Sequence, residues 1–325
     1  MASIPASSAL VNVVDGAELC LVRLLAESSA PGSIRPSFVP DCESCIALSD
    51  ATRLIQTIVS EQGAIAALVS LDDEAVSAVS LLAACLDRVQ PPNNANFLIQ
   101  LADSIIAIGN AGGGAATAKA ISLLATLYNM RSIPAEKVAL LVKLIRLAAT
   151  DPSLLEAENS VLGKWMDPVQ LTTMLDEWEV PPAGRRELFR AAADASPGEN
   201  ARQQFILLMA ETFSDADIDA SGLEAAKQAA IGAVRDPVSL FVQQRKILSL
   251  PAVQALEASD GACSRACLRA CIQGGSSEPP GDPRRIDRVC GPVSQCLASS
   301  LIFSFFFFSM LFSIQFSSQH HCSAF

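Results

Sequence analysis

Apolar residues recur at three- and four-residue spacing along most of this chain, and that period restricts it to helices. Leu54, Ile55, Ile58 and Val59 keep the spacing, as do Val138, Leu141, Leu144, Ile145 and Ala148. Turn-forming clusters cut the pattern into runs of roughly 12 to 22 residues. The cuts are Pro91-Pro92-Asn93-Asn94, Gly112-Gly113-Gly114, Asp151-Pro152, Val180-Pro181-Pro182 and Ser196-Pro197-Gly198. From about Asp41 to Glu257 this predicts about ten antiparallel helices without a strict repeat. The expected fold is all-α, an irregular helical-hairpin solenoid of the HEAT or TPR kind. A single Tyr and few aromatics argue against an all-β domain. With half of its residues apolar and 18% charged, the chain has enough material for a core, and disorder is excluded for most of its length.

Composition divides the chain into three zones. Residues 1–36 hold one short amphipathic helix, roughly Ala17 to Ala26, and a Ser/Pro/Gly linker through Pro36. Residues 37–257 form the helical-repeat region. Residues 258–325 lack lysine, carry both histidines and eight of the fourteen phenylalanines, and contain Cys263, Cys267, Cys271, Cys290, Cys296 and Cys322.

The net charge of −11 leaves no clustered cationic excess for phosphate, so direct nucleic-acid binding is not expected. No basic stretch precedes the first apolar run, which Asp15 and Glu18 interrupt; the reading is a cytoplasmic protein with no signal peptide. Cys20, Cys42, Cys45 and Cys85 lie in apolar helical surroundings, as reduced buried cysteines do. An enzyme is not expected. A hydrolase or transferase needs a nucleophile, a base and an orienting group, and both histidines, His320 and His321, lie far from the helical zone.

Several motifs imitate binding sites. Asp215-Ala-Asp217-Ile-Asp219-Ala-Ser221-Gly222 resembles the start of a calcium loop, but Ala220 stands where the turn needs Gly and Ala226 where a bidentate Glu is needed. Ser221 and Glu224 read instead as a capping box. Gly109 and Gly112 to Gly114 follow no strand and precede no Lys-Ser/Thr pair, which fits a flexible interhelical loop. Cys42 and Cys45 have metal spacing without a second pair. The tail thiols Cys263, Cys267 and Cys271 fall on one helical face without a tight second half. No cofactor or metal is expected. Trp165 and Trp178 flank a charged helix, and each is read as core or as part of a partner surface.

From Leu175 onward, four segments follow in a specific order: LDEWEVPPAGRRELFRAAADA, FILLMAETFSDAD, LEAAKQAAIGAVRDPVSLF and ILSLPAVQALE. In this order and spacing they resemble the family of M subunits of eukaryotic translation initiation factor 3. The matching features are the turn at Trp178, the Arg186-Glu-Leu188-Phe189 helix, Thr212-Phe213-Ser214 before an acidic break, and Leu250 to Glu257. The helices KAISLLATLYNM and VALLVKLIRLAA agree more loosely, so the resemblance covers about residues 10 to 257. It implies a non-enzymatic scaffold subunit that supports assembly of the 43S preinitiation complex and mRNA recruitment to the small ribosomal subunit. The implied partners are the other subunits of the factor, and the ribosomal subunit indirectly. The implied architecture is a set of helical repeats leading into a PCI module, incomplete here because the resemblance stops at about Glu257. Val242-Gln-Gln-Arg-Lys246 departs from the polar, often acidic stretch of the family. One exposed recognition surface is expected over Trp178, Arg185, Arg186 and Phe189.

The run LIFSFFFFSMLFSIQF, within the apolar stretch 297–316, supports two other expectations. Phe, Ser and Leu are encoded largely by U and C, so the run reads as a translated pyrimidine tract from a retained intron or a wrong frame. Alternatively it anchors a tail-anchored membrane protein with a cytosolic helical adaptor. Leu297 to Ile314 is uncharged and as a helix would span roughly 27 Å, just short of a typical hydrocarbon core. A PCI scaffold of the COP9 signalosome or proteasome lid shares the fold and is separable by its partners.

Overall fold

A computed structural model of the chain describes residues 16–150, 166–196, 198–235 and 247–259. Among these residues there are thirteen α-helices, one short 3-10 turn and no strand. The first eight helices are α1 (Ala17–Glu27), α2 (Phe38–Ala47), α3 (Ala51–Ser60), α4 (Gln62–Ser70), α5 (Ala75–Asp87), α6 (Asn93–Ala111), α7 (Gly114–Met130) and α8 (Pro134–Ala148). They are followed by α9 (Pro168–Glu177), α10 (Pro182–Ala195), α11 (Glu199–Glu211), α12 (Ala220–Arg235) and α13 (Pro251–Ser259), with the 3-10 turn at Ile247–Ser249. The chain divides into two compact units, Met1–Phe205 and Ile206–Phe325, and the division falls inside α11.

In the first unit helices alternate between two layers. α3, α5 and α7 pack side by side, as do α4, α6 and α8, while consecutive helices pack across the layers; this is the hairpin array that the apolar period predicts. α1 joins the same core through its buried Leu21, Val22 and Leu25, and it packs on α2, α4 and α5. α8 packs on α6, α7 and α10, with Leu141, Leu144, Ile145 and Ala148 sealed from solvent. Each such Leu or Ile contributes roughly 1.5–3 kcal/mol of burial free energy.

Helix boundaries follow local chemistry. Pro134, Pro168 and Pro182 each occupy the first turn, where the missing N–H is no loss. Asp167 caps α9 through the Val169 N–H, and Asp50 caps α3 through the Arg53 N–H, both at 2.9 Å. Some breaks carry no Pro or Gly, among them those at Ser49 and Glu61. α2 ends where Ser49 takes φ +55°, and the Ser49 and Asp50 N–H groups donate to the Ile46 and Cys45 carbonyls. α3 and α4 meet at Glu61, whose extended backbone ends one helix and begins the next.

The glycine run 112–114 makes a tight turn between α6 and α7 in place of the expected flexible loop. Gly112 ends α6 and Gly113, at φ +77°, precedes α7. The Thr117 hydroxyl lies 3.1 Å from both the Gly109 and Gly113 carbonyls. A Cβ on Gly109 would sit 2.6 Å from the Ala120 Cβ, so the glycine sets the close approach of these helices. Gly63 does the same for the linker: a Cβ there would lie 2.2 Å from the Ser33 carbonyl oxygen. The linker is thereby laid directly against α4.

An ion cluster, buried at Arg131 and Glu136 and open to solvent at Asp87, joins the ends of three helices. Arg131, just after α7, donates from Nε to the Glu136 carboxylate at 2.7 Å and from Nη1 to Asp87 at 2.6 Å. The Arg131 and Glu136 side chains are 4% and 7% exposed.

In the second unit α12 packs on α13 and on the 3-10 turn, and Phe213 lies against Gly222, where a Cβ would come within 2.9 Å of the ring. The expected capping box is replaced. α12 begins at Ala220, which places Ser221 inside the first turn, and Asp219 caps the helix by accepting the Gly222 N–H at 2.8 Å. Asp217 accepts the Ser214 N–H and hydroxyl, both at 2.7 Å, so two of the aspartates in the calcium-like run serve as local caps.

The thiols separate by burial. Cys42, Cys45 and Cys85 are buried, and Cys20 is exposed, contrary to its apolar neighbourhood in sequence, because it lies on the outer face of α1. Burial pushes the Cys42 and Cys85 thiols up to about 12, with neighbouring Cys45 adding to the first and Glu18 to the second. Asp151-Pro152, Trp165, residues 242–246, the cysteine-rich tail, His320, His321 and the apolar run 297–316 lie outside the described residues. Among the described residues no helix is long and apolar enough to cross a membrane.

Gly63→Ala gains up to about 1 kcal/mol of helix propensity but drives a methyl into the Ser33 backbone, so urea melts show a net loss of about 2 kcal/mol. Peptide mapping after brief thiol labelling of the native chain finds Cys20 modified and Cys42, Cys45 and Cys85 protected. The folded chain holds the Cys42 and Cys85 protons that the unfolded chain releases above the ordinary value of 9.0. Stability is therefore full below pH 9 and falls as pH rises towards 12.

Candidate interaction surface

The segment from Leu175 to Phe189 forms a joint between two helices. α9 stops at Trp178, and Glu179 enters the left-handed region at φ +51°. The Glu179 N–H then donates to the Asp176 carbonyl and the Val180 N–H to the Leu175 carbonyl, both at 3.1 Å. This paired closure is the Schellman arrangement, here with a non-glycine residue at its left-handed position. Pro181 and Pro182 prevent continuation and start α10.

Arg185 holds the joint closed. Its Nε donates to the Val180 carbonyl at 2.7 Å, Nη2 to the Leu175 carbonyl at 3.1 Å, and Nη1 to the Asp176 carboxylate at 2.5 Å. A guanidinium suits this task because its fixed fork reaches three acceptors at once. The expected exposed surface therefore needs correction. Arg185 spends its donors inside the chain. Phe189 is 2% exposed, because α10 packs on α8 and turns Leu188, Phe189 and Ala192 inward. Arg186 is half-buried and has a partner of its own.

Trp178 is the one large apolar residue of the four left partly open to solvent. Its ring lies 6.4 Å from that of Tyr128, centroid to centroid, with the planes tilted by 46°. The Lys137 ammonium stands 5.4 Å from both ring centroids, within reach of the negative ring faces. Burial pushes the Tyr128 hydroxyl up to about 12. The structure thus brings Trp178 and Arg185 to one joint and withdraws Phe189 into the core.

One surface feature escapes sequence reasoning. A shallow groove of about 180 Å³ runs between α6 and α8, floored by Leu98 and Leu140 and edged by Ala95, Ile99, Ala139 and Lys143. Its signal in the sequence is the four-residue spacing of Ala95 with Ile99 and of Ala135 with Ala139. Lys143 at its edge is tied to Asp103 of α6. Among the described residues no cluster of three or more His, Cys, Asp or Glu side chains is arranged to hold a metal. Comparison of the chain with family models, with curated proteins and with solved structures finds no match.

Arg185→Ala strands the acceptors at the end of α9 and lowers stability by about 2 kcal/mol in urea unfolding. Arg185→Lys recovers less than half of that loss, because one ammonium cannot serve the three positions of the fork.

Proposed function

We propose that this chain is a non-enzymatic scaffold of the translation initiation factor 3 M-subunit kind, acting in the cytoplasm. The observation that carries the reading is the ordered series of segments from Leu175 to Glu257, with the Trp178 turn, the Arg-Glu-Leu-Phe helix, the Thr-Phe-Ser break and the Leu-Pro-Ala-Val stretch in succession. An all-helical hairpin array supports it, because such arrays present long helical faces for other subunits. Its partners are the other subunits of the factor, and it contacts the small ribosomal subunit through them, supporting 43S assembly and mRNA recruitment. Binding proceeds by helix packing, with apolar anchors such as Val169 and Ile99, 73% and 39% exposed, inside a charged rim. The net charge of −11 favours partner surfaces with basic rims over nucleic acid.

Affinity capture of the full chain from eukaryotic cytosol, with the recovered proteins identified by mass spectrometry, tests this directly. The expected result is co-recovery of initiation factor 3 subunits in near-stoichiometric amounts. Recovery of proteasome-lid or signalosome subunits instead, or of none of these, overturns the assignment.

A further inference from the structure

The geometry points to a charge-dependent latch: the Lys137 ammonium, shared by the Tyr128 and Trp178 rings, holds the Trp178 side chain closed against the end of α7. The three groups come from three different elements. Tyr128 is in the last turn of α7, Lys137 in the first turns of α8, and Trp178 ends α9. The two rings are 6.4 Å apart, and the ammonium lies 5.4 Å from each. Tyr128 is 7% exposed and fixed in the core, whereas Trp178 is half-buried on a turn. Trp178 is therefore the movable partner, and the cation is the group that biases its position.

The backbone of that turn does not depend on the latch. Arg185 and the paired closure at Glu179 and Val180 hold the main chain separately. Loss of the cation thus frees the indole while leaving the joint and the core folded. The same indole is the one large apolar group of the segment that a partner can reach, so the charge on Lys137 sets how much of it is offered. This inference stands on the geometry and is independent of the scaffold assignment.

The test uses the full chain with Trp165→Phe, which leaves Trp178 as the single tryptophan, and reads acrylamide quenching of its fluorescence. Lys137→Met removes the charge but keeps the apolar stem; Lys137→Gln is the second neutral variant should Met fail to fold. Lys137→Arg keeps the cation. The latch predicts a rise in the quenching constant of about threefold in the neutral variants, with unchanged far-ultraviolet circular dichroism, and a value near that of the parent for Lys137→Arg. Quenching of the neutral variants at the parent level overturns it. So does an Arg variant that opens as far as the neutral ones.

Discussion

A buried guanidinium organises the first unit. Arg131 is almost wholly withdrawn from water, and a charge in that position is tolerated only when it is paired and hydrogen-bonded. Glu136 is the partner buried with it and Asp87 is an exposed one, and together they fix the end of α7 against the start of α8 and the end of α5. Removing one partner of a buried pair such as Arg131 and Glu136 costs roughly 3–5 kcal/mol, more than a surface ion pair usually contributes. With these three ends pinned, the apolar face of α8 is held where α10 can cover it. Tyr128 and Lys137, on either side of the cluster in sequence, then stand where Trp178 can close on them.

That arrangement changes the meaning of the segment from Trp178 to Phe189. Its aromatic and cationic residues suggest a recognition surface, since Trp, Phe and Arg are the usual anchors of interfaces. In the fold they build a joint. Phe189 supplies core volume, Arg185 caps the end of α9, and the Trp178 ring remains at the edge as the part still open to a partner. An array of helical hairpins needs such joints, because side-by-side packing alone does not fix the angle at which one helix hands over to the next.

Much of the fold is legible in the sequence. Pro91-Pro92, the glycines at 112–114, Pro181-Pro182 and Ser196-Pro197-Gly198 each mark a helix end, because those residues lack an N–H or accept conformations that others avoid. α1 is placed within one residue of its observed bounds. The hidden breaks are those made by ordinary residues. Ser49 and Glu179 adopt left-handed backbone without glycine, and Glu61 ends one helix and opens another, and nothing in residue type announces any of the three. The candidate surface is half legible for a related reason. The spacing of Leu188, Ala192 and Ala195 marks the inward face of α10 and places Phe189 beside it, but the task of Arg185 depends on a turn whose geometry is itself hidden. Cys20 misleads because local apolarity does not say which face of a short helix turns outward.

The central structural claim is that the Trp178 turn is a closed joint whose amides are bonded inside the fold. Residue-resolved hydrogen exchange on the full chain tests it most directly at Glu179 and Val180, whose N–H groups donate to Asp176 and Leu175. The account predicts exchange at these two amides nearly as slow as at Leu144 and Ile145 in the middle of α8. Exchange at the rate of an open, solvated loop would contradict it, and would return the segment to the role of an exposed docking element.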